Sequence, residues 1–157
     1  MNKNSKAVFS YPIFVHIEGR RCVVIGGGRV ALRKVKILLD CGGSVTVISP
    51  KPHPDIIQLS KEGAIRLIQR DYKVGDLRGA RIAIAATNEE KINKKVAHEA
   101  KRHGILVNVA DDRRLSDFIT PSFFRRGNLT IAVSTAGRSP ALARKIRRKL
   151  ENTIGEE

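Results

Sequence analysis

Gly26-Gly27-Gly28 and the residues on either side carry the densest chemical signal in the chain. Arg21-Cys22-Val23-Val24-Ile25 is a largely β-branched run, the glycines end it, and Arg29-Val30-Ala31 opens a segment with helical spacing. Strand, glycine turn and helix in that order, with Gly26-x-Gly28-x-x-Ala31 at the joint, suit the binding of a pyrophosphate. Gly26 permits the tight turn, Gly28 lets backbone approach the phosphates, and Ala31 lets the helix pack close to the strand. The amides of Gly27, Gly28, Arg29 and Val30 then lie at a helix N-terminus, where donors are unsatisfied and the dipole favours an anion. The chemistry predicted from these residues is dinucleotide binding.

A dinucleotide fingerprint normally offers Asp or Glu to the adenosine ribose about 20 residues past the glycines. Here that place reads Ile48-Ser49-Pro50-Lys51. Ribose contacts therefore fall to backbone at Pro50, to Ser49 or to Lys51, and the residues alone leave NAD and NADP both open. No metal chemistry is expected. His16, His53, His98 and His103 have no ligand spacing and read as surface residues, with His98 and His103 on different sides of their helix. Cys22 and Cys41 show no C-x-x-C spacing and read as buried or incidental thiols.

The elements that must position this joint alternate along the chain. A helix over 29–40 presents Ala31, Val35 and Leu38 on one face and stops at Gly42-Gly43. A strand over 44–48, a short helix over 54–62 and a strand over 65–69 follow, and 81–86 is apolar enough to be buried on both faces of a parallel sheet. Thr87 with Glu90 reads as a capping box for a helix bearing Ile92, Val96 and Ala100, and 105–109 is a fifth strand. This is an α/β, Rossmann-like, doubly wound parallel sheet. The last third breaks the alternation. Runs over 118–124 and 129–134 bracket a turn at 125–128 and read as a hairpin. Ser139 and Pro140 start a final helix with Leu142, Ile146 and Leu150 as its stripe, and 152–157 reads as a frayed tail. The predicted organisation is a dinucleotide-binding domain over 1–113 and a small α+β dimerisation segment over 114–157.

The chain has 157 residues, enough for one domain with an appendage. Thirty Lys and Arg against fifteen Asp and Glu leave a charge of +15, which calls for an anionic partner or substrate. Aromatics are only 4%, and no zinc-finger or RNA-recognition signature is present, so nucleic acid lacks its usual supports. No run approaches the roughly 18 apolar residues of a membrane span, and the N-terminus lacks a signal peptide's apolar core. A cytoplasmic location is expected, without membrane or nucleic-acid partners.

Gly26-Gly27-Gly28-Arg29-Val30-Ala31-Leu32-Arg33-Lys34 resembles the GGGxVAxRK signature of the precorrin-2 dehydrogenase family, the N-terminal module of sirohaem synthases. Tyr11-Pro12-Ile13-Phe14, Ala85-Ala86-Thr87-Asn88, Asn108-Val109-Ala110-Asp111 and Ser139-Pro140-Ala141-Leu142-Ala143-Arg144 match in order, over about residues 8 to 151. The resemblance implies NAD-dependent oxidation of precorrin-2 to sirohydrochlorin, with Asp111 as the catalytic carboxylate. It also implies Thr87 and Asn88 beside the cofactor, Asn108 beside the substrate, and a homodimer with its active site between the cofactor half and the C-terminal part. The substrate's many carboxylates would account for the basic charge, with Arg138 and Arg144 clasping them. Ser134 and Thr135, where the family commonly has a second serine, could bind a substrate carboxylate or serve as turn hydroxyls. Larger members continue past the equivalent of Glu151 and some add a methyltransferase, so that activity is expected in a separate protein and ferrochelatase activity weak or absent. The alternative reading is a non-catalytic dinucleotide-sensing module whose basic helix contacts nucleic acid or a partner.

Overall fold

The computed structural model describes residues 9–155. They divide into two compact units: 15–118, and a second made of 9–14 with 119–155.

The first unit is built on five parallel strands: β1 Arg21–Ile25, β2 Ser44–Ile48, β3 Arg66–Ile68, β4 Ile82–Ala85 and β5 Leu106–Val109. Their spatial order is β3-β2-β1-β4-β5, so the chain reverses direction across the sheet between β1 and β4. Short apolar strands with both faces buried follow from the β-branched runs, and the alternation of side chains sorts them into two cores. On one face Cys22, Val24, Val45, Val47 and Ile84 meet Ala31, Val35 and Leu38 of α1 (Arg29–Asp40) and Ile56 of α2 (Pro54–Lys61). On the other, Val23, Ile25, Ala83, Ala85 and Val107 meet Val96, Ala97 and Ala100 of α3 (Glu90–Arg102). This is the doubly wound arrangement.

Two local expectations are corrected here. Thr87 does not cap α3: the N-cap is Glu89, without a side-chain cap bond. Instead the Thr87 hydroxyl accepts from the Glu89 amide at 3.1 Å, and Glu90 pairs with Lys94 one turn on. The bend at 87–89 starts the helix later than a capping box at Thr87 requires. His53 is also more than a surface histidine. It is half-buried and caps α2, its Nδ1 accepting from the Asp55 amide at 3.1 Å.

Residues 114–118, grouped by the sequence reading with the second domain, are stitched to β5. The Val107 amide donates to Asp117 Oδ2 and the Asp117 amide donates back to the Val107 carbonyl. Asn108 Nδ2 donates to the Phe118 carbonyl at 2.9 Å.

The second unit is an antiparallel hairpin, β6 Ser122–Arg126 and β7 Leu129–Val133, with α4 Pro140–Thr153 packed on both strands. The strand begins four residues later than expected, after Pro121, and takes in Arg125 and Arg126. The turn is Gly127-Asn128 alone, with Gly127 at φ 52. Ser139 caps α4 through the Leu142 amide at 3.2 Å, with Pro140 in the first turn. The helix runs through Asn152 and Thr153, where a frayed tail was expected. Phe124 and Ala143 are buried, yet Leu142 and Ile146 of the expected stripe are 47% and 38% exposed. Phe9, Tyr11, Ile13 and Phe14 are exposed as well.

Candidate functional site

A parallel sheet gathers the C-terminal ends of its strands along one edge, and ligands bind there where the strand order reverses. The turn after β1 and the turn after β4 meet at that point. Gly26 has φ 123, and a Cβ on it would lie 2.2 Å from the Ala86 carbonyl oxygen. Gly27 is equally constrained from the β2 side, with Ser49 Oγ 2.4 Å and Pro52 Cα 2.8 Å from a Cβ built there. Both glycines are demanded by the fold.

Gly28 is not. Its φ is −82, and nothing stands within 4 Å of a Cβ built on it. It is exposed, as are Arg29 and Val30, and it is the N-cap of α1 without a side-chain cap bond. A residue with room for a side chain, no conformational need for glycine and uncapped amides beside it leaves an open cradle for an anionic group. That suits a pyrophosphate.

Around this cradle stand the other sequence-predicted residues of the unit. Ser49 is buried beneath Gly27, its Oγ accepting from the Lys51 amide at 3.3 Å, while Pro50 and Lys51 are exposed. Thr87 is half-buried and Asn88 exposed, just after β4. Asn108 is 7% exposed at the end of β5, and its Oδ1 is buried without a hydrogen-bond partner. Asp111 follows, exposed, with φ 62. A left-handed backbone at a non-glycine residue costs about 1–2 kcal/mol, least at Asp and Asn. Among the described residues only Asp111 and Ala136 adopt it, and such strain concentrates at functional sites.

Two residues that the sequence reading passed over hold these turns, and a third holds the segment between β3 and β4. Asn93, buried on α3, accepts from the Thr87 amide and hydroxyl at 3.2 and 2.7 Å and donates to the Thr87 carbonyl at 3.0 Å. Its signal was a polar residue in line with Ala97 and Ala100 on the buried face. Ser116 ties the Asp111 loop to β5, accepting from the Val109 amide at 2.9 Å and donating to the Asp112 carbonyl at 2.7 Å. Glu99, 5% exposed on α3, accepts from the Tyr72 hydroxyl and from the Gly75 and Leu77 amides. Asp112 is held below the usual carboxylate range, chiefly by its hydrogen bond from Arg114.

Ser134, Thr135, Arg138 and Arg144 belong to the other unit. The Thr135 hydroxyl accepts from the Ser139 amide and donates to the Ser139 carbonyl, both at 3.0 Å, which is the work of a turn hydroxyl. Ser134 Oγ accepts from the Ala136 amide at 3.1 Å. Arg138 and Arg144 are exposed. His98 and His103, expected on different sides of α3, both line one shallow depression with Lys94, Lys95 and Arg102. His103 caps the helix end, where the regular rotation stops. No group of three or more His, Cys, Asp or Glu among the described residues is placed to hold a metal ion. No helix among them is long and apolar enough to cross a membrane.

Known proteins share this arrangement. A family model described as "Putative NAD(P)-binding" matches residues 13–122. A second, "Sirohaem biosynthesis protein central", matches residues 126–153. The siroheme synthases of Methylococcus capsulatus and Chromobacterium violaceum are 44% and 41% identical over 143 and 144 residues. Those alignments take in 91% and 92% of this chain but 30% and 31% of the relatives, so the chain spans under a third of their length. The solved structure of "SirC, precorrin-2 dehydrogenase" is 31% identical, with a TM-score of 0.81 over 94% of this chain and 72% of that one. Residues 13–122 thus constitute an NAD(P)-binding domain, and the chain belongs to the family of the precorrin-2 dehydrogenase SirC.

Proposed function

We propose that this protein oxidises precorrin-2 to sirohydrochlorin, as a cytoplasmic homodimer with NAD as electron acceptor. The observation that carries the reading is the pairing of the Gly28 cradle with a strained Asp111 on the same edge of the sheet. Gly27, Gly28, Arg29 and Val30 hold the pyrophosphate through backbone amides, while Gly26, whose own amide donates to the Ile48 carbonyl at 3.0 Å, shapes the turn that presents them. Ser49, Pro50 and Lys51 flank the adenosine ribose, and Thr87 and Asn88 border the cofactor on the β4 side. NAD, when bound, supplies an acceptor for the electron pair leaving the macrocycle. Asp111 supplies the base that takes the accompanying proton, a task worth about 10²–10⁴ in rate for a positioned side chain. Asn108, Ser134, Arg138 and Arg144 contact the substrate, whose carboxylates suit a chain of charge +15, while Thr135 holds its own turn.

With no carboxylate at Ser49 or Lys51, the preference for NAD over NADP is less absolute than an acidic residue would impose. Ferrous iron insertion into sirohydrochlorin is expected to run no faster than its non-enzymatic control. Leu142 and Ile146, four residues apart on α4 and 47% and 38% exposed, are the apolar side chains that a dimer partner would cover. The deciding experiment incubates the protein with precorrin-2 and NAD and follows the absorbance of sirohydrochlorin. No product under conditions where NAD binds would leave the non-catalytic sensing module as the reading.

A further inference from the structure

The turn after β4 is fastened at two consecutive residues. At Ala86 it joins the glycine turn: the Ala86 amide donates to the Ile25 carbonyl at 2.8 Å, and the Ala86 carbonyl fills the space that a Cβ on Gly26 would need. At Thr87 it joins α3. Asn93 Oδ1 accepts from the Thr87 amide at 3.2 Å and Nδ2 donates to the Thr87 carbonyl at 3.0 Å, so one carboxamide pairs with both backbone groups of one residue. The amide can only donate and the carbonyl can only accept, which fixes the way the carboxamide faces. The Thr87 hydroxyl is engaged too, donating to Asn93 Oδ1 at 2.7 Å and accepting from the Glu89 amide at 3.1 Å.

Asn93 is 8% exposed, on the α3 face that buries Val96, Ala97 and Ala100. Asparagine is a weak helix former, and α3 starts at Glu89 without a side-chain cap bond. An apolar residue at 93 and a capping hydroxyl at 89 would serve the helix better. The polar groups go to the turn instead. What the turn leaves free is Asn88, which is exposed and whose carboxamide makes no hydrogen bond among the described residues.

We propose that Asn93 is a positioning residue for the nicotinamide half of the cofactor: by clamping Thr87 from α3 it holds the β4 turn, and Asn88 with it, in the conformation which that half meets. The inference rests on the reading of the Gly28 turn as the pyrophosphate site. With the pyrophosphate there and the adenosine ribose toward β2, the other nucleotide crosses to the β4 side, because the strand order reverses between β1 and β4. Asn93 therefore acts on one end of the dinucleotide, and the adenosine end is held without it.

The test compares wild type, Asn93→Leu and Asn93→Asp by calorimetry with NAD and with ADP, which carries the adenosine and pyrophosphate without nicotinamide. Amide exchange at Thr87 in the ligand-free protein and Tm are measured alongside. Asn93→Leu should weaken NAD about 5- to 20-fold, what one or two neutral hydrogen bonds to a ligand are worth, and leave ADP within about twofold of wild type. Its Thr87 amide should exchange faster and its Tm should fall, because a buried amide is left unpaired. Asn93→Asp keeps the acceptor for the Thr87 amide and hydroxyl and should recover part of the NAD affinity. If leucine does not fold, Asn93→Asp against wild type carries the same comparison of NAD with ADP. Equal weakening of NAD and ADP, or a lowered Tm with both affinities intact, would overturn the proposal. A wild type that binds NAD without oxidising precorrin-2 would overturn the function reading and leave this comparison to decide the role of Asn93. A wild type that binds neither NAD nor ADP would overturn both.

Discussion

Gly26 and Ala86 join the two halves of the sheet: the Ala86 carbonyl oxygen occupies the space that any Cβ on Gly26 would need, 2.2 Å away. Two residues on, Gly28 faces empty space. The same motif therefore holds glycines that the fold demands and one that it does not, and substitution should separate them. Gly26→Ala should destabilise the protein by about 2–5 kcal/mol, from backbone strain and overpacking together. Gly28→Val should stay within about 1 kcal/mol of wild type, as N-cap changes do, yet lose NAD binding. Denaturant unfolding and calorimetry read the two effects, and NAD affinity unchanged in Gly28→Val would remove the pyrophosphate from this turn.

The chemical role proposed for Asp111 and its left-handed backbone are separable, and asparagine distinguishes them. Because φ is 62, alanine would change both the charge and the comfort of the backbone, whereas asparagine tolerates the left-handed region. Asp111→Asn should keep Tm and NAD affinity and lower turnover by about 10²–10⁴-fold. Asp111→Ala should show a comparable rate loss with a lower Tm. Wild-type turnover in the asparagine variant would make Asp111 purely structural.

Asp76 pins the segment between β3 and β4. It accepts a bidentate pair from Arg70 at 2.8 Å each and the Lys73 amide at 2.7 Å. The Arg70 hydrogen bond, more than any other influence, holds its carboxyl below the ordinary value, against burial. A carboxyl depressed on folding contributes stability that is present above its unfolded value, near ~3.9, and lost as pH falls through the folded one. Asp76→Asn should therefore lower stability at pH 7 by roughly 1–3 kcal/mol, the range for hydrogen bonds to charged groups, and flatten the acid limb of the pH–stability curve. Parallel acid limbs for the two proteins would contradict this.

The exposed stripe of α4 bears on assembly. Leu142→Asp with Ile146→Asp should convert a dimer to a monomer by sedimentation and abolish turnover if the site is shared between subunits. A fully active monomer would rule out the shared site. Macrocycle binding should weaken with added salt, because exposed arginine contacts are screened within a Debye length of about 10 Å at 0.1 M.

What was legible in the sequence was what neighbours along the chain decide. The glycines after a β-branched run, Ser139-Pro140 ahead of a helical stripe and Gly42-Gly43 behind one are local instructions, and the elements fall within a few residues of them. Misplacements occurred where a hydrogen bond from outside the expected motif intervened. Thr87 looked like a cap until Asn93 and the 87–89 bend claimed its hydroxyl. Phe118 looked like hairpin until Asn108 bound its carbonyl. The family signature named Asp111 without indicating its left-handed backbone. Chain chemistry sets hydrogen-bonding propensity and the period of burial over one or two turns. The order β3-β2-β1-β4-β5 alone decides which strand ends meet, and that meeting separates the glycine the fold requires at Gly26 from the one left open to a ligand at Gly28.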